Sequence, residues 1–153
     1  MSYSPAIDTF TPDRERVRKA LVPTAAAILV STVALTVYGA HDMSEVAVVL
    51  GVLLPVIGGV YGLLLPSKLR KESAGGTALL LAVVGALVLV PAFWSGLPLA
   101  LGAAGAMLGY AGRHASTGSG KCTAAVIAGT LASIGYFAIY LMDALSQMGV
   151  GWA

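Results

Sequence analysis

Long apolar runs separated by short polar segments dominate this chain, and each run is long enough for a helix. Residues 1–19 hold the only long polar stretch. Within it, Thr11-Pro12-Asp13 has the make-up of a helix start. It offers a capping hydroxyl, a proline for the first helical position and an acid for the first turn. Arg14, Arg16, Arg18 and Lys19 follow, so a short interfacial helix is expected to lead straight into the apolar run 20–40. That run exceeds the about 7–15 residues of a cleavable signal core. A cut after Ala40 would also place Tyr38 where a small residue is needed, so a retained span is expected.

His41-Asp42-Met43-Ser44-Glu45 forms a polar turn, with Asp42 and Glu45 spaced as a capping box for the next helix. The second run covers 46–66 and contains Pro55, followed by Gly58 and Gly59. A mid-helix proline removes a backbone hydrogen bond, so a kink is expected there. After a basic segment with Lys68, Arg70 and Lys71 comes an unbroken apolar run of 36 residues, 77–112. As one helix it would extend about 54 Å, against a hydrocarbon core of about 30 Å. It must turn back, and Phe93-Trp94-Ser95-Gly96-Leu97-Pro98 supplies the break. Spans of about 77–94 and 97–112 follow, and a last span covers 123–145. Residues 146–153 form a short tail with Trp152 as an interface anchor.

The expected fold is therefore all-α: an integral membrane bundle of five transmembrane helices over 20–145. Composition strengthens this. Hydrophobic residues make up 58% of the 153 residues and charged residues 10%. A water-soluble domain carries about 25% charged residues. Soluble globular, disordered and nucleic-acid-binding classes are thereby disfavoured.

The placement of charge sets an orientation. Four Lys/Arg precede the first span, three lie between the second and third, and two between the fourth and fifth. With five spans these segments share one side, and the other polar segments hold no Lys or Arg. The positive-inside rule predicts a cytoplasmic N-terminus and an exterior C-terminus. Asp42, Glu45 and Asp143 are the exterior acids. The composition, rich in Ala, Val, Leu and Gly, suggests a bacterial cytoplasmic membrane.

Candidate chemistry is sparse. Ala115–Thr123 resembles a phosphate loop but has Ala115 and Cys122 where glycine and a hydroxyl residue belong, and no strand precedes it. A flexible basic turn is expected instead. His41 and His114 fall on opposite sides and cannot share a metal or haem. Both are expected to be solvated loop residues. The single cysteine, Cys122, excludes an intramolecular disulfide. No span carries the His, Lys or Glu needed to activate a nucleophile, so no enzyme, cofactor or metal site is expected.

Two features remain. Tyr136, Tyr140 and Asp143 share a helix face, a candidate proton or cation path. Small residues recur at four-residue spacing: Gly58 and Gly62, Gly105 and Gly109, and Gly129 with Ser133. Such stripes let membrane helices approach closely. The expected function is a non-catalytic accessory or scaffold subunit of a membrane complex. Its partners would be lipids and other subunits or further copies of itself. A small oligomeric transporter or channel using the Asp143 face is the alternative, and a lipid- or quinone-binding protein comes after it.

Overall fold

The computed structural model describes residues 12–39, 42–69, 74–114 and 118–148. The Thr11 cap, His41, Arg70, Lys71, the segment Ala115-Ser116-Thr117 and the Trp152 anchor lie outside them. Among the described residues the chain is helical, without strands. Helix α1 spans Pro12–Gly39 and α2 spans Met43–Leu69. Helices α3 (Gly75–Leu87) and α4 (Leu97–Gly112) form a hairpin, and α5 spans Ser119–Gln147. Helices α1, α2 and α5 are each long and apolar enough to cross a membrane.

Helix α1 begins at Pro12, and the basic stretch continues into the apolar run without a break. Glu15 and Lys19 pair at 2.7 Å across one turn on its exposed face. That contact holds the Glu15 carboxyl below its ordinary value. Helix α2 widens after Pro55: Gly58–Leu64 is π-helical. The Gly58 N–H is shared between the carbonyls of Leu54 and Pro55, and the Leu65 N–H reaches Val60 O. Gly58, Gly59 and Gly62 have no neighbours near where a side chain would be, so nothing resists the wider turn. The π segment is anchored by Tyr61, which is 5% exposed and donates its hydroxyl to Ala100 O of α4 at 2.8 Å.

The third expected span ends early. Helix α3 stops at Leu87 rather than near residue 94. Pro91 has no N–H for the Leu87 carbonyl, and it disfavours helical geometry at Val90. A turn through 88–92 and a 3₁₀ turn, Phe93–Ser95, carry the chain to Gly96. Gly96 has φ of 71° and lies against Thr32 of α1; a Cβ there would come within 2.6 Å of Thr32 Oγ1. Leu97 then opens α4, as expected from the sequence.

Helices α3, α4 and α5 form the tightest part of the bundle, with α1 and α2 packed around α4. Ten of the sixteen residues of α4 are buried. Its glycines lie against backbone. A Cβ on Gly105 would meet Ala82 N at 2.6 Å, and one on Gly109 would meet Cys122 O at 2.6 Å. Gly102 and Gly129 face each other across α4 and α5, and Ser133 Oγ bonds Gly129 O at 2.9 Å. Outward positions are apolar: Val22, Leu63, Leu80 and Leu131 are all exposed.

The helices alternate in direction, which gives the bundle two chemically different ends. At one end Arg14 Nη1 reaches Leu69 O at 3.5 Å, and Gly75 packs on Gly118. There Asp13, 8% exposed, pairs with Arg113 at 3.4 Å and approaches His114 Nε2 at 3.7 Å. His114 is itself open to solvent but lies beside this acid rather than apart from all partners. Among the described residues every Lys and Arg belongs to this basic end. The opposite end gathers the α1–α2 turn, the α3–α4 turn and the end of α5. It carries Asp42, Glu45 and Asp143.

Candidate functional site

A vestibule at the acidic end

The α3–α4 hairpin is shorter than the helices around it. Sixteen residues of α4 rise about 24 Å, and thirteen of α3 about 20 Å. The hairpin closes where Gly96 meets Thr32, yet α1 continues to Gly39. Those seven further residues add about 10 Å of helix. Helix α5 likewise runs on past Tyr140 to Gln147. The space above the hairpin is a cavity of about 450 Å³.

Phe93 and Trp94, the 3₁₀ turn of the hairpin, line it from below. Leu35, Thr36 and Gly39 contribute from α1, and Ser44, Glu45, Val48 and Val49 from α2. Tyr140 and Asp143 complete it from α5. The volume lies within the about 300–1,000 Å³ of small-molecule sites, and mostly apolar walls with a few polar groups are their usual make-up. Two carboxylates from different helices border the space, and among the described residues no Lys or Arg does.

The sequence-derived acid and phenols divide by depth. Asp143 and Tyr140 line the vestibule; Tyr136 does not. Asp143 is exposed, and its Oδ2 accepts a hydrogen bond from Gln147 Nε2 at 2.8 Å. Tyr140 meets Phe93 edge-on at 6.0 Å between ring centres. Tyr136 lies one turn deeper, its ring 5.1 Å from that of Tyr140 and tilted by 58°, and is fully buried. The Tyr136 hydroxyl and Thr32 Oγ1 are enclosed in the bundle without a well-formed hydrogen bond. Thr36, one turn above Thr32, donates to the Thr32 carbonyl at 2.8 Å.

Glu45 departs from its expected role. Asp42 does hold the N-cap position of α2, with extended backbone, but its side chain makes no capping bond. Its Oδ2 accepts the Ser44 hydroxyl at 3.0 Å instead. Only the backbones of Asp42 and Glu45 bond to each other, at 3.2 Å. The Glu45 side chain is thereby left to border the vestibule. Sequence reasoning missed Glu45, Phe93 and Trp94 as site residues. A usable signal existed: all three fall in segments on the same side as Asp143. The depth of the α3–α4 turn carried no such signal.

Other highlighted positions lie elsewhere. Pro55, Gly58, Gly59 and Gly62 belong to the middle and far half of α2. Gly105, Gly109, Gly129 and Ser133 are inside the α3–α4–α5 packing. Among the described residues no three His, Cys, Asp or Glu side chains converge in a metal-binding group. Comparison with protein-family models, curated proteins and solved structures gives no match.

Proposed function

We propose that the protein is a small five-span protein of the bacterial cytoplasmic membrane, with its basic end in the cytoplasm. In this reading it is a non-catalytic accessory subunit that captures a cationic solute at the exterior face for a larger membrane assembly. The observation that carries the reading is the vestibule. It joins Glu45 and Asp143 across an aromatic-walled space at the end of the bundle that holds no described Lys or Arg. Carboxylates in a cleft of one sign concentrate cations there.

The accessory role has separate support. Leu53, Ala100 and Ala104 inside the bundle are fully buried and apolar. The open glycine face of α2, at Gly58, Gly59 and Gly62, allows close approach by a partner helix. Purification in mild detergent followed by mass spectrometry tests this. A stoichiometric larger complex is expected. Recovery of this chain alone, at every detergent tried, would overturn the accessory role.

A second reading, an oligomeric transporter or channel, has one observation in its favour. The enclosed hydroxyls of Tyr136 and Thr32 lie directly beneath Tyr140 and extend polar groups inward from the vestibule. Reconstitution of the purified chain in vesicles separates the two. Cation flux by the chain alone, lost on Asp143→Asn, supports the transporter. No flux with intact cation binding supports capture.

A further inference from the structure

We infer that the vestibule selects a bulky organic ammonium ion over an inorganic cation. The inference rests on the solute-capture reading and narrows it to a ligand class. The first reason is the donor set. A dehydrated metal ion needs several oxygens converging on one point, about six to eight for calcium. Here the charged oxygens come from two residues on separate helices, Glu45 and Asp143, and both residues are exposed. They are placed to set a negative field, and no ligand cage surrounds a point between them.

The second reason is the wall chemistry. Phe93, Trp94 and Tyr140 present three aromatic groups to the same space, with Phe93 and Tyr140 edge to face at 6.0 Å. Aromatic faces attract cations, and quaternary ammonium groups in particular. A methylated or alkylated ammonium sheds its water readily and brings apolar surface to apolar walls. A small hydrated ion does neither. The third reason is size. A cavity of about 450 Å³ is far larger than a bare ion needs and accommodates a small amine with one ring.

Trp94 provides a built-in reporter, because the chain has only one other tryptophan, Trp152. The W152F protein, purified in detergent, is titrated with benzyltrimethylammonium, sodium, magnesium and an uncharged tert-butyl alcohol of similar shape. The expected result is a saturable change in Trp94 emission with the ammonium compound alone. Glu45→Gln with Asp143→Asn should weaken it at least tenfold, and Tyr140→Leu should weaken it without affecting the response to ionic strength. Each variant is first checked for an unchanged elution profile.

An equal or stronger response to sodium or magnesium would overturn the ammonium selectivity and leave solute capture standing. An equal response to the alcohol would reduce the site to an apolar pocket and overturn the inference. Silence towards every cation in a folded protein would overturn the inference and solute capture together.

Discussion

At the scale of single residues, backbone proximity decides what each glycine does. Gly105 and Gly51 are both helical glycines in apolar surroundings, yet their environments differ completely. A Cβ on Gly105 would press on Ala82 N at 2.6 Å and Ala82 Cβ at 2.8 Å, whereas Gly51 has nothing within 4 Å. Backbone cannot step aside as a flexible side chain can. Gly105→Ala should therefore cost about 1–3 kcal/mol. Gly51→Ala, with open space around it in mid-helix, should instead raise stability by about 0.5–1 kcal/mol. Thermal or denaturant unfolding in detergent micelles measures both. Equal midpoints would show that α3 and α4 can separate freely. The sequence offered the same stripe logic for Gly58–Gly62 as for Gly105–Gly109; only contact geometry distinguishes them.

At the scale of elements, helix length and helix register create the site. Proline acts in both halves of the argument. Pro91 ends α3 early, which shortens the hairpin and opens the vestibule. Pro55 precedes the π-helical turn of α2, where the extra width turns Tyr61 towards α4. The Tyr61 hydrogen bond to Ala100 O joins α2 to the central helix in a region otherwise held by apolar packing. Tyr61→Phe keeps the ring and removes the bond, and should lower stability by about 1 kcal/mol. The same unfolding assay reads this. An unchanged midpoint would mean that packing of the ring alone anchors the π segment. Asp42 and Glu45 illustrate a boundary read correctly from a capping contact that does not form. Their spacing suits a capping box, and the helix does start there, but Ser44 takes the Asp42 carboxylate and Glu45 turns to the vestibule.

At the scale of the whole molecule, the two ends differ in charge because the loops alternate sides. The basic end is tied together by Asp13 with Arg113, and Arg113 also lies 4.0 Å over the Tyr110 ring. Among the described residues, no Lys or Arg lies at the acidic end beside its carboxylates. If the basic end faces the cytoplasm, a fluorescent protein fused to the C-terminus and exported unfolded should stay dark. The same protein fused to the N-terminus should be bright. Bright C-terminal fusions would reverse the orientation or change the number of spans.

The sequence alone determined that the chain is helical and apolar enough to lie in a membrane, and it located four of the five helices closely. Those properties depend on composition, on residue periodicity and on local breakers, all of which act over a few neighbouring residues. It also singled out Asp143 and Tyr140, because helical spacing places them on one face. Tertiary structure decided the rest. How deep the α3–α4 turn reaches, which glycines touch backbone, and whether Glu45 caps a helix or borders a cavity depend on how five helices settle against one another. Those are differences of a few ångströms between segments far apart in the chain. No local pattern encodes them, and the vestibule exists only because of them.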